Sequence, residues 1–335
     1  MNANKHASGL TEDDRNLGME LVRVTEAAAL AGARWMGRGD KEAADKAAVD
    51  AMRLMISTCS MDGIVVIGEG GKDDAPMLYD GERVGTGEPP QVDIAVDPVE
   101  GTTITARGMP GALSVIAVAG RGAMFDPGPC YYMDKIATGP EAADVIDLDA
   151  PPADNVKKVA KAKGVDVDDV TVIIMDKPRH KGLIAEVREA GARIRLITDG
   201  DVAASISACT PGTGVDLMLG TGGTPEGVIS AAALKCIGGN LLGRLDPQSD
   251  KERQEVLDAG YDLSRVISLE ELVQGDAYFA ATGITGGDLL KEVKYRKDGA
   301  TTESLAMRSR TGTVRWITAD HNWNKLMKFS GIRYD

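Results

Sequence analysis

Glu69, Asp97 and Glu100 each follow a short apolar run and stand among glycines or a proline, in IGEGGKD and VDPVEGTT. One acid in such a place is an ordinary solvated turn residue; three of them at the ends of neighbouring strand-like runs are harder to dismiss. Pro98 fixes the local bend so that Asp97 and Glu100 can converge, and Gly101 lets the backbone amides of Thr102 and Thr103 approach an anion closely. Carboxylates beside a phosphate cradle repel their own ligand unless cations intervene. Oxygen-only ligation suits Mg2+ or Mn2+, and about two such ions would neutralise the acids while clamping a phosphate and its in-line oxygens. The chemistry these residues point to is metal-assisted hydrolysis of a phosphate ester.

Other catalytic inventories are thin. The chain has three histidines, His6, His180 and His321, too few and too scattered for a histidine metal site or charge relay. Its four cysteines, Cys59, Cys130, Cys209 and Cys236, form no CxxC pair, so neither a zinc site nor a disulfide framework is indicated. A formal net charge of -13 opposes binding to nucleic acid or anionic lipid, so a phosphorylated substrate needs a local cluster of cations. No stretch reaches the roughly 18 apolar residues of a membrane span, and no apolar core follows the basic residues near the N-terminus. The expectation is a cytoplasmic protein with no membrane or nucleic-acid partner.

The elements that must position these residues can be read from periodicity. Leu17, Leu21, Val24, Ala28, Ala31 and Trp35 recur at helical spacing, with Thr11 as a candidate cap. Gly37-Arg38-Gly39 ends that helix, and Asp40 caps a second one through Ala48, Ala51, Met52 and Met55, placing Asp45 in its first turns. Runs 64–67 and 92–96 read as strands whose C-terminal ends carry the acids; 112–119 and 132–137 continue the strand pattern, and 155–163 reads as a short helix. Farther on, TVIIM, ARIRLI and VDLML each precede a helical pattern, as in α/β architecture, and the stretch from Lys294 to Ile317 reads as antiparallel strands joined by glycine turns. The loop-like cluster at Asp149-Ala150-Pro151-Pro152 divides the chain into a metal-binding module with a mixed sheet, 1–150, and an α/β module that completes the site, 151–335.

The motif D-P-[IV]-[DE]-G-[TS] after a strand, with G-E-G upstream, resembles the lithium-sensitive, metal-dependent phosphatases that include inositol monophosphatases and fructose bisphosphatases. RVTEAAALAGARWMGRGDKEAADKAAVDAMR, VIGEG, KDDAPMLYDGERVGTG, KPRH, LITDGDVAASI and GTGGTPEGVISAA, in order, narrow the resemblance to class II fructose-1,6-bisphosphatase. It implies the sugar phosphatase fold, a layered α-β-α-β-α sandwich of the α/β (α+β) class. It implies Mn2+ or Mg2+ as cofactor, one ion held by Asp45 and Glu69 and a second by Asp97, Glu100 and Glu226. By the same resemblance Asp73 and Thr102 orient and deprotonate the attacking water. Glu100, Gly101, Thr102, Tyr132, Lys177, Arg179, Asp199, Asp201 and Gly223 form the substrate site, Lys177 and Arg179 taking the far phosphate of a sugar bisphosphate. A homo-oligomer, dimer or tetramer, is also implied.

Two positions depart from the family pattern: Gly71 stands where a second glutamate is common, and Lys46 follows Asp45 where a glycine is common. Both bear on metal number and preference. The implied reaction is hydrolysis of the 1-phosphate of fructose 1,6-bisphosphate to fructose 6-phosphate and phosphate. The alternatives are a sedoheptulose 1,7-bisphosphatase or dual-specificity enzyme, an inositol-type monophosphatase, and a noncatalytic sugar-phosphate sensor. His180 stands next to the cation pair, but a single histidine warrants little and no role is assigned to it.

Overall fold

Small residues set the first packing event. The Leu17–Gly32 helix is rich in alanine, and a side chain at Gly32 would bring its Cβ within 3.4 Å of Ala48 on the Lys41–Ile56 helix, so the two helices lie closely against each other. Asp40 caps the second helix as its sequence suggests, its carboxylate accepting from Ala43 N–H at 2.9 Å. The computed structural model describes residues 17–70, 77–330 and 332–334. His6, Thr11, Gly71 and Asp73 lie outside the described residues.

The helix pair covers one face of a sheet whose strand order is Lys294–Arg296, Gly299–Arg308, Ala277–Gly283, Leu113–Gly120, Gln91–Glu100, Asp62–Ile67 and Arg83–Val84, with Thr313–Asn322 also paired to Gly299–Arg308. A second sheet runs Ile267–Ser268, Asn240–Leu245, Tyr132–Thr138, Leu217–Gly223, Thr171–Met175 and Arg193–Ile197. Both sheets are mixed: in the first, Asp62–Ile67 is parallel to Gln91–Glu100, which is antiparallel to Leu113–Gly120, and in the second, Leu217–Gly223 is antiparallel to Tyr132–Thr138 and parallel to Thr171–Met175.

The layers follow from the period of two along each strand. Ile94, Val96, Ile116 and Val118 face the first helix pair, whereas Ala95, Val115 and Ala117 face inward and pack with the Asp201–Cys209 and Thr224–Ile237 helices. From the other side Met133 and Ala137 close this central core, while Ile136 and Val172 turn outward to Val156, Val159, Ile184 and Val187 on two outer helices. The Thr224–Ile237 helix is buried around nearly its whole circumference, as a helix sandwiched between sheets must be. The result is the α-β-α-β-α sandwich expected.

Sheet membership does not follow chain order. Tyr132–Thr138 belongs to the second sheet, and Ala277–Gly283 through Thr313–Asn322 return to the first. The division near residue 150 therefore stands as a proposal about units of the chain, with strands crossing it in both directions. No helix among the described residues is long and apolar enough to cross a membrane.

Candidate active site

Proline creates the central feature of the site. The expectation ended this strand at Val96, but it continues through Glu100, because a register shift absorbs Pro98: Asp97 pairs with Val115 and Glu100 with Leu113, three steps on one strand against two on the other. Pro98 has no N–H to give the ladder, and Val99 N–H turns to Asp97 Oδ1 at 3.0 Å. The bulge directs both acids toward the second sheet. Gly101 follows with φ +97° and opens the short Thr102–Arg107 helix. Glu100 is buried, and its Oε1 accepts from Val202 N–H at 2.7 Å, at the start of the Asp201–Cys209 helix.

The neighbouring strand ends in Gly68-Glu69-Gly70. A Cβ at Gly68 would come within 1.9 Å of the Leu78 carbonyl, so only glycine lets the returning chain pass there. Gly68 N–H donates to Asp80 Oδ1 at 2.9 Å, and Glu69 N–H donates to Leu78 O at 2.9 Å. Asp45 stands half-buried on the second turn of the Lys41–Ile56 helix. Glu226 lies in the first turn of the Thr224–Ile237 helix and folds back over Gly223, where a Cβ would sit 1.8 Å from Glu226 Oε2.

These five acids line one cavity of about 1200 Å3 between the sheets, with Gly101, Thr102, Tyr132, Lys177, Arg179, Asp199, Asp201 and Gly223. Thus every residue expected at the site, apart from Asp73 outside the described residues, faces the same cleft. Lys177 and Arg179 sit beyond the C-terminal end of the Thr171–Met175 strand, the usual ligand position of an open α/β sheet. Arg179 donates through Nε and Nη2 to the Thr221 carbonyl at 3.1 and 2.8 Å, and its guanidinium lies 4.9 Å from the Tyr132 ring centroid.

Electrostatically the cleft is overloaded with negative charge. Burial, then the charges of Glu69, Glu226 and Asp45, push Asp97 well above the carboxylate range; burial, then Asp201 and Asp97, do the same to Glu100. Glu69 is pushed up to about 7 by burial and by Asp45 and Asp80; Glu226 reaches about 7 through burial and Asp201, with Lys135 opposing. Glu226 Oε2 is buried with no hydrogen-bond partner. Among the described residues no three His, Cys, Asp or Glu side chains form a closed metal cage. The acids instead surround shared space, are raised by burial and by one another's charge, and leave an oxygen unpaired. Divalent cations entering that space would relieve both conditions.

Lys135 escaped the sequence reading. It is fully buried, its Nζ bonded to Asp201 Oδ2 and to the Gly223 carbonyl, the latter at 2.9 Å. The signal was present: in YMDKIAT, Lys135 shares an inward face with Met133 and Ala137, where an unpaired lysine could not remain. Asp80, which steadies the Glu69 loop, was also missed.

The suggestion that Lys46 adds a cation beside the first metal site is corrected, and His180 has a structural role. Lys46 reaches outward to Asp50 at 2.9 Å on the exposed helix face, adding no cation to the cleft. His180 is a buried brace: its Nε2 accepts from Thr221 N–H at 2.9 Å, which leaves Nδ1 to donate to Met175 O at 2.7 Å, and burial lowers its pKa. A neutral ring with both nitrogens engaged has nothing for phosphate.

A family model described as bacterial fructose-1,6-bisphosphatase, glpX-encoded, matches residues 15–321. The chain is 47% identical over 321 residues to fructose-1,6-bisphosphatase 1 class 2 of Escherichia coli (strain K12), covering 92% of this chain and 95% of that protein. The fructose-1,6-bisphosphatases class 2 of Escherichia coli O6:H1 and of Shigella flexneri match with the same identity and the same coverage.

Proposed function

Because the chain belongs to the bacterial fructose-1,6-bisphosphatase family, we propose that its cleft hydrolyses the 1-phosphate of fructose 1,6-bisphosphate, giving fructose 6-phosphate and inorganic phosphate. The observation that carries this reading is the meeting of acids from four separate stretches of chain with Lys177 and Arg179 in one cleft. The comparisons lend no support to the sedoheptulose or sensor readings.

The donor set fits divalent metal: only carboxylates, mutually repelling, with the buried Glu226 Oε2 unpartnered. Asp45 and Glu69 would hold one ion, and Asp97, Glu100 and Glu226 the other. When bound, Mn2+ or Mg2+ supplies Lewis acidity, lowering the pKa of water and offsetting charge on the phosphate.

The chain's own groups supply orientation. Thr102, at the start of its short helix, accepts and orients the attacking water and passes a proton toward the carboxylate of Asp73. The backbone amides of Thr102 and Thr103, which Gly101 leaves open to approach, face the reacting phosphate. Lys177 and Arg179 bind the 6-phosphate; Tyr132 beneath the guanidinium and the Thr221 carbonyl fix the direction in which Arg179 points. Asp199 and Asp201 accept hydrogen bonds from sugar hydroxyls, Asp201 already ordered by Lys135. Holding both ends of the substrate aligns the 1-phosphate for in-line attack. A cytoplasmic dimer or tetramer completes the proposal.

The test is phosphate release from fructose 1,6-bisphosphate with Mn2+ or Mg2+. Activity that disappears with chelator and in Glu69→Gln is expected. Pure, folded protein inert with both ions on this substrate overturns the reading.

A further inference from the structure

Thr221 is a hub of hydrogen bonds that does not itself line the cleft. Its carbonyl receives the Nε and Nη2 donors of Arg179 at 3.1 and 2.8 Å. Its N–H donates to His180 Nε2 at 2.9 Å, and its hydroxyl donates to Asp246 Oδ2 at 3.1 Å. With the amide, hydroxyl and carbonyl of one residue all engaged, the direction of that carbonyl is fixed, and so is the edge of the guanidinium that it occupies. Among the described residues no bond engages Nη1 of Arg179, so that side of the fork stays open to an anion.

Asp246 reaches the same cation by a second route. It stands half-buried just past the Asn240–Leu245 strand and, like Thr221, is not part of the cleft lining. Its N–H donates to the Tyr132 carbonyl at 2.9 Å, and the Tyr132 ring centroid lies 4.9 Å from the Arg179 guanidinium. The carboxylate is anchored in turn: Gln248 Nε2 donates to Asp246 Oδ2 at 2.9 Å, and Gln248 N–H donates to Glu252 Oε2 at 2.8 Å in the first turn of the Asp250–Asp258 helix. Glu252 Oε1 accepts from Tyr131 N–H at 2.9 Å, closing the circuit beside Tyr132. One acid therefore fixes both the carbonyl to which Arg179 is bonded and the ring on which it lies, within a web whose members hold one another in place.

We propose that Asp246 is a positioning residue for the far phosphate of the substrate. Through Thr221 and Tyr132 it sets the angle at which Arg179 meets that anion, and so sets the preference for bisphosphates over monophosphates, without touching either. The role deepens the bisphosphatase reading and rests on it for the assignment of Lys177 and Arg179 to the distal phosphate. A guanidinium released from this web keeps its charge and still attracts a dianion, but it must be ordered anew at each binding event. Loss of Asp246 therefore costs affinity for the distal anion and spares the reacting end.

Fructose 6-phosphate, titrated calorimetrically into the full chain in chelator, is the probe, because it carries only the distal anion and the metal-free acids repel phosphate from the other end. Asp246→Ala is expected to raise its Kd at least fivefold, and Asp246→Asn, which keeps an acceptor for Thr221, to stay within twofold of wild type. Thr221→Val removes only the hydroxyl and should raise the Kd at least threefold, which keeps the test open if the alanine variant does not fold. In steady state with Mn2+, Asp246→Ala should raise KM for fructose 1,6-bisphosphate at least fivefold, hold kcat within twofold, and change kcat/KM for fructose 1-phosphate less than twofold. Placed on Arg179→Ala it should add less than twofold, since the cation it positions is gone. A wild type that does not bind the probe, variants at 246 and 221 that bind it as wild type does, equal losses on both substrates, or a full further loss on top of Arg179→Ala overturns the proposal. A wild type that binds fructose 6-phosphate with the expected variant pattern but releases no phosphate from the bisphosphate overturns the bisphosphatase reading and leaves the positioning role standing.

Discussion

Glu100 Oε1 accepts a 2.7 Å hydrogen bond from Val202 N–H, so a buried acid at the end of a first-sheet strand terminates a helix packed between the two sheets. The Val202 amide is one of the first-turn donors that the helix itself cannot satisfy. Glu100 therefore has a structural half and a charged half, and substitutions separate them. Glu100→Gln keeps an acceptor for Val202 and removes one charge from a crowded cluster. It is expected to leave the melting temperature in chelator unchanged or raised while kcat falls by about 10²–10³. Glu100→Ala orphans the amide and should melt lower than Glu100→Gln, the buried donor costing about 1–3 kcal/mol. Melting curves in chelator beside steady-state rates in Mn2+ check both; a Gln variant retaining wild-type kcat removes Glu100 from the site.

Raised acids predict a pH dependence of the metal-free protein. Glu69 and Glu226 sit at about 7 when folded, against an ordinary 4.5. Below about pH 4.5 both states carry these protons and nothing is gained or lost. As pH rises from there to about 7, the unfolded chain ionises first and the folded state is penalised; above 7 the penalty is constant. Glu26, also raised to about 7, adds to the slope away from the cleft. His180 and His321, lowered by burial, act oppositely below about pH 6.5 but are two against a larger group of acids. The melting temperature in chelator should fall from pH 5 to 7.5. Mn2+ should flatten that fall, since cations favour the ionised forms, and Glu69→Gln should flatten it partly without metal. A chelated protein whose stability climbs steadily over that range would contradict the raised acids.

Distal charge recognition gives a substrate-dependent outcome. On the proposed reading Lys177→Ala and Arg179→Ala should raise KM for fructose 1,6-bisphosphate at least tenfold, because each would remove a charge-assisted contact to the 6-phosphate, about 1.5–3 kcal/mol. Fructose 1-phosphate, which has no distal anion, should lose less than twofold in kcat/KM. Equal losses on both substrates would place these cations at the reacting phosphate instead.

The acids of the first sheet were legible because they broke a strong local rule: apolar strand runs ended in carboxylates where turn residues were expected. Helix starts were legible for a similar reason, Asp40 capping as its sequence position implied. Strand partners were not. Alternation states which face a residue takes, so the inward set at 133 and 137 could be read, but nothing local says that this strand pairs with Leu217–Gly223 and Asn240–Leu245. The bulge at Pro98 was hidden too, since it is a property of register against Leu113–Gly120 and not of the strand alone. Lys46 misled because sequence proximity to the site was taken for proximity in space, and it turns outward on its helix; His180, assigned no role from sequence, is consumed by two backbone groups.

Lys135 supplies the last prediction, because its ion pair with Asp201 is buried on both sides. A buried charge that loses its partner keeps its full desolvation penalty, so Lys135→Met should cost about 3–5 kcal/mol. Removing the second charge relieves that penalty: Lys135→Met combined with Asp201→Asn should recover more than half of the lost stability, a coupling that urea melts of the two single variants and the double variant measure. Function should not recover with it. The Gly223 carbonyl still lacks its donor, the Gly223–Glu226 turn loses its anchor, and the neutral amide introduced by Asp201→Asn accepts a sugar hydroxyl less strongly than a carboxylate does. KM should therefore stay elevated at least tenfold in the double variant. If stability and KM return together, Lys135 is a structural counter-charge alone and has no part in holding the substrate side of the cleft.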